Sequence, residues 1–98
     1  MAAILLLREK YIVAEAAFVE LVVWQVPQKL LGSDHLVKYR LAFMMLGRCV
    51  LRYDNEAGKG DHKHIGEKEY AYRFVSVDEL QNDFWTDVEV LMTKGDRR

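Results

Sequence analysis

The sequence predicts an α+β domain: an antiparallel sheet of four or five strands with one face covered by a C-terminal helix. Three observations carry this. Over residues 36–45, Val37, Tyr39, Leu41, Phe43 and Met45 alternate with a second face that begins with Lys38 and Arg40, the period of a half-buried strand. Val77, Leu80, Phe84, Val88 and Leu91 recur at three- and four-residue steps, one side of a helix. Before and between these segments lie β-branched and aromatic runs punctuated by Pro27, Gly32 and Gly47, as expected of short strands.

In chain order, residues 3–13 are rich in Ile, Leu, Val and Tyr and read as a first strand, although Leu5–Leu7 also suits a buried helical turn. A second strand is expected over 18–26, where Val19, Val22, Val23, Trp24 and Val26 are stopped by Pro27. Both its faces are mostly apolar, as in a central strand, and Glu20 is the exception: an exposed strand end or a site carboxylate. Residues 27–34 read as a loop and 36–45 as the third strand. A fourth strand over 48–53 sets Cys49, Leu51 and Tyr53 against Arg48, Val50, Arg52 and Asp54. A three-residue connection over 45–47 would pair Met44 with Arg48, Ala42 with Val50 and Arg40 with Arg52. A face holding Lys38, Arg40, Arg48 and Arg52 then requires nearby acids or a bound anion, or else is solvated.

Residues 54–69 show no apolar period and read as a long loop, a feature of functional or disordered segments. A short strand follows over 70–75. Ser76 and Glu79 have capping-box spacing, so the helix is expected over about 77–92, ending near Gly95. Its outer face is expected to carry Asp78, Glu79, Asp83, Asp87 and Glu89, a solvated surface or one for a basic partner.

A chain of 98 residues is one domain, 1–98, able to bury roughly 60 to 65 per cent of its unfolded surface. The net charge of −1 gives no general affinity for nucleic acid, which would have to come from charge placement. The lone Cys49 excludes an internal disulfide and suits a reducing cytosol; as a residue it reads as a small buried apolar group. The apolar opening has no basic residues ahead of it and runs into Arg8-Glu9-Lys10, unlike a signal peptide. No apolar stretch approaches the roughly 20 residues a membrane span needs, so a soluble protein is expected.

The chemistry concentrates in Arg52–His64, which has three readings. The first is a metal site on His62 and His64 with Asp54 or Asp61 as a further ligand. On this reading the two histidines point to opposite sides of an extended segment unless the loop bends. The second is acid–base cleavage of a phosphodiester: one histidine takes a proton from a ribose 2′-hydroxyl and the other returns one to the departing 5′-oxygen. Lys59 or Arg52 would stabilise the developing charge and Asp54 or Asp61 would fix a histidine tautomer. Lys38, Arg40, Arg73 and Asn55 would hold the RNA. The third is structural, with Asp54-Asn55 opening a turn and the glycines supplying positive φ. Gly58-Lys59-Gly60 lacks the Ser or Thr and the helix of a nucleotide-binding loop, which leaves only a general anion-cradling nest.

Arg52-Tyr53-Asp54-Asn55 followed by Gly58-Lys59-Gly60-Asp61-His62-x-His64 resembles the signature of the TumE-type toxins of bacterial and archaeal toxin–antitoxin modules. Phe18-Val19-Glu20, Val23-Trp24, Val26-Pro27, Lys38-Tyr39-Arg40-Leu41, Tyr72-Arg73-Phe74 and Asp83-Phe84 extend the similarity over residues 18–91. Ala14–Ala17 departs from the turn-like residues expected between the first two strands. The resemblance implies a cytoplasmic protein encoded beside a cognate antitoxin, often a DNA-binding one, and by analogy an RNA-cleaving, translation-arresting activity without a cofactor. A non-enzymatic protein gripping a protein or nucleic acid, and a metal-dependent nuclease, are the competing expectations, and a homodimer is left open.

Overall fold

The computed structural model describes residues 2–95. Six strands run in sequence order across one antiparallel sheet: β1 (Ile4–Ala14), β2 (Ala17–Gln25), β3 (Val37–Met45), β4 (Arg48–Glu56), β5 (Gly60–Ile65) and β6 (Lys68–Ala71). The helix α1 (Val77–Gly95) follows. The α+β class and the C-terminal helix are as expected, but the sheet has six strands rather than four or five. The difference lies in residues 54–69, which form the end of β4, all of β5 and the start of β6 rather than a loop. The expected strand over 70–75 is displaced: β6 ends at Ala71, and Tyr72–Val75 leads irregularly to the helix.

The core lies between one face of the sheet and α1. Val19, Leu21 and Val23 of β2, Leu41 and Phe43 of β3, and Leu51 and Tyr53 of β4 are buried against Leu80, Phe84 and Val88. The helix begins where Ser76 Oγ accepts the N–H of Glu79 at 3.1 Å, as the capping-box spacing requires. Asp83 and Asp87 leave the expected outer acidic face and turn toward the sheet. Tyr72 OH donates to Asp83 (2.6 Å), while Tyr53 OH (2.5 Å) and Lys63 Nζ (3.1 Å) donate to Asp87.

The β3–β4 turn has two residues, Leu46 (φ 51°) and Gly47 (φ 76°), the doubly left-handed form that matches strand twist. Its register differs from the expected one. Met45 faces Arg48 and Met44 faces Cys49, and a bulge after Cys49 then sets Phe43 against Leu51, Ala42 against Arg52 and Arg40 against Asp54. Arg40 and Arg52 are therefore not cross-strand partners, and Arg48 shares a side with Met45 rather than with the other arginines.

Candidate functional site

Because successive strand residues face opposite ways, the sheet sorts the expected site residues into two groups. The helix-covered side takes Tyr39, Tyr53, Asn55, Asp61 and Lys63; the open side takes Lys38, Arg40, Arg52, Asp54, His62 and His64. His62 and His64 are two residues apart on β5 and share the open face. The expectation that they diverge is wrong, because a strand's side chains repeat every second residue. Their Cα atoms are about 7 Å apart along the strand.

On the open face, Arg52 and Asp54 of β4 stand opposite His64 and His62. Arg52 Nε lies 3.0 Å from Asp54 Oδ2, and His64 Nε2 is 4.0 Å from Asp54 Oδ1. The Arg52 Nε–H is shielded from solvent, yet it makes no directed hydrogen bond, so its approach to Asp54 is an ion pair out of line. His62 Nδ1 donates to the Gly60 carbonyl (3.1 Å), and its Nε2 lies 3.3 Å from Glu69 Oε2. Arg40 is the cross-strand partner of Asp54, and Lys38, two residues before it, is exposed on the same side. These acids answer the charge problem posed by the basic face: Asp54 and Glu69 lie within the cluster, and Glu20 occupies the row that runs through Ala42 to Arg52. Glu69 belongs to the segment read as loop, where nothing marked it.

The remaining residues sit elsewhere. Asp61 is on the helix side, where it accepts from Tyr39 OH (2.6 Å) and His35 Nε2 (2.8 Å); it is not brought together with His62 and His64 as a metal ligand. Among the described residues, no three His, Cys, Asp or Glu side chains converge on a common point. Asn55 is 2% exposed, and its amide is spent on backbone: Tyr39 N–H donates to Oδ1 (2.9 Å) and Nδ2 donates to Val37 O (2.7 Å). The side chain thus extends the β3–β4 ladder past its last paired residues. Asn55→Ala leaves two backbone groups unpaired and is expected to cost about 2–4 kcal/mol, measured by urea denaturation.

Lys59 is exposed at the β4–β5 turn between two glycines with the expected positive φ, Gly58 (87°) and Gly60 (77°). Gly58 N–H donates to Leu31 O and Lys59 N–H to Glu56 O, so these amides do not form an anion nest. A Cβ on Gly60 would meet the Gly32 carbonyl at 3.1 Å, which explains a glycine at the close approach of the β2–β3 loop. Arg73 follows β6 and lines an open cavity of about 630 Å³ with Ser33, Asp34, His35, Asp61, Tyr72 and Phe74. That cavity is on the opposite side of the sheet from the histidine pair. His35 there is held at both nitrogens, since Nδ1 accepts the Val37 N–H (3.2 Å) and Nε2 donates to Asp61, and its ring stacks on Phe74 at 4.1 Å. Such a histidine braces the loop against β3 and β5; as a lone residue in a loop, it carried no signal in the sequence.

Burial, followed by hydrogen bonding to Asp61, Asp87 and Asp83 respectively, raises the pKa values of Tyr39, Tyr53 and Tyr72 well above the ordinary tyrosine range. A raised pKa means that the folded state holds these protons more tightly than the unfolded chain. Their contribution to stability is therefore complete below the unfolded value of about 10 and is lost as pH rises above it. Unfolding in alkali is expected above pH about 10, with phenolate absorbance from these tyrosines appearing together with loss of the helix signal.

Fold and site together define a small antiparallel-sheet protein, closed by a helix on one side and presenting paired histidines among arginines and carboxylates on the other. The family model described as Toxin TumE matches residues 6–92, and the chain belongs to this family of toxins. A toxin of a toxin–antitoxin module implies a cognate antitoxin as its partner. Comparison with curated proteins and with solved structures finds no match. No helix among the described residues is long and apolar enough to cross a membrane.

Proposed function

We propose that this protein is a cytoplasmic endoribonuclease toxin that arrests translation by metal-independent cleavage of RNA on the open face of its sheet, opposed by an antitoxin that also binds DNA. The observation that carries the reading is the side-by-side placement of His62 and His64 with Arg52 and Asp54 directly across from them. One imidazole removes the proton of a ribose 2′-hydroxyl as its oxygen attacks phosphorus; the other protonates the departing 5′-oxygen, giving a 2′,3′-cyclic phosphate and a free 5′-hydroxyl. Arg52 takes the phosphate oxygens with the exposed end of its partly exposed guanidinium, while its shielded Nε stays beside Asp54. Asp54 positions Arg52 and His64, Glu69 lies beside Nε2 of His62, and Arg40 and Lys38 guide the flanking backbone. Lys59 and Arg73 reach RNA only beyond this cluster, and Asp61 and Asn55 act in holding the sheet.

Purified protein is expected to cut RNA equally well with and without EDTA. A second reading, a non-enzymatic grip on nucleic acid or protein through the same face, is favoured by one observation: Arg52 with Asp54 and His62 with Glu69 already pair within the molecule. It predicts salt-sensitive binding without strand scission. Cleavage that stops in EDTA would instead point to a metal-dependent nuclease.

A further inference from the structure

The two edges of the sheet differ sharply. β6 is four residues long and carries Lys68 and Glu69, the short, charged form that resists pairing with another chain. β1 is eleven residues long, and no strand among the described residues covers its outer side. Leu7 and Val13 pack against the core, but four of its apolar side chains are left largely in solvent: Ile4 is 57%, Leu5 42%, Leu6 45% and Ile12 75% exposed. A long apolar edge of this kind is a template for strand addition.

The charges at its centre say what can add. Between irregularities at Leu6 and Val13, residues 7–12 pair regularly with β2, with Arg8 and Lys10 on the open face and Glu9 on the helix side. None of the three makes an ion pair among the described residues, although Lys10 stands across from Glu20 with its Nζ 4.5 Å from the centre of the Phe18 ring. A second copy of the chain would pair antiparallel about a two-fold axis normal to the sheet, which matches only residues facing the same way. Centred on Glu9, that pairing sets Glu9 against Glu9 and Arg8 against Lys10; centred on Arg8 or Lys10, it sets that residue against itself. Each of these near-complete overlaps puts like charges directly opposite. The complementary strand has acids two residues apart facing Arg8 and Lys10, a cation between them facing Glu9, and apolar residues on either side.

We propose that β1 is the docking edge for an extended, acidic-centred segment of the cognate antitoxin, added to the sheet as a further strand. The inference rests on membership of the toxin family and not on the cleavage reading. The test uses the whole protein and the antitoxin encoded beside it, following hydrogen exchange of the β1 amides and affinity by titration calorimetry. The outward amides of β1 are expected to exchange freely in the isolated protein and to become protected in the complex. Arg8→Glu with Lys10→Glu is expected to weaken binding by about tenfold or more, since two cross-strand attractions become repulsions. Ile12→Lys, at a site already in solvent, checks the edge with little risk to folding. Unchanged exchange at β1 on binding, wild-type affinity in both variants, no binding at all, or an isolated protein already dimeric through β1 would each overturn the proposal. RNA cleavage by the wild type is read separately, so its failure bears only on the activity.

Discussion

His62→Ala and His64→Ala are each expected to lower RNA cleavage by about 100- to 10,000-fold, the usual worth of a positioned general acid or base. The two losses should not multiply, because in the proposed mechanism both groups serve one displacement and the absence of either leaves the other without its counterpart. With both present, the rate requires one ring free of its proton and the other carrying one, so activity against pH is bell-shaped. Each variant should lose one limb of that profile, and the limb that goes identifies acid and base. Neither substitution should unfold the protein, since both rings lie on the uncovered face and neither belongs to the apolar cluster. Growth arrest should fall with cleavage; full arrest in both variants would separate toxicity from this chemistry.

Phe84→Ala is expected to cost about 3–5 kcal/mol, a large part of the 5–15 kcal/mol available to a domain of this size. A single helix closes the core, and Phe84 is its fully buried centre, meeting the ring of Tyr53 edge-on at 5.7 Å and that of Trp85 at 5.9 Å. Loss of the ring leaves a cavity between helix and sheet at the point where Tyr53 reaches Asp87. Denaturant unfolding should show a lower midpoint with an unchanged slope. If the variant remains as stable as wild type, the helix does not hold the sheet as described.

The sequence showed what burial writes into it. β3 alternates because one face meets the core, β2 is marked by its β-branched and aromatic run, and α1 announces itself by its cap and its stripe. β5 left no such mark. Its helix-side residues Asp61 and Lys63 are polar groups held by Tyr39, His35 and Asp87, and its other face is open, so neither row shows an apolar period. The register was hidden for a different reason. The two-residue turn and the bulge each shift the pairing by one residue without changing composition, and together they moved Arg40 from Arg52 to Asp54. Motif spacing brought the histidines, Arg52 and Asp54 to notice. The separation of Asp61 and Asn55 from them followed only once the segment was known to be a strand, where neighbours in sequence face opposite ways.

The cleavage proposed for the open face depends on one atom of the substrate, the ribose 2′-oxygen, and that dependence gives the most direct test. An oligonucleotide of deoxyribose units with a single ribose is incubated with the protein in EDTA, and the products are read by mass. The account predicts one cut, on the 3′ side of that ribose, leaving a cyclic phosphate and a 5′-hydroxyl. Cleavage of the all-deoxy strand, or a ribose-containing strand left whole while ordinary RNA is cut only with added metal, would contradict it.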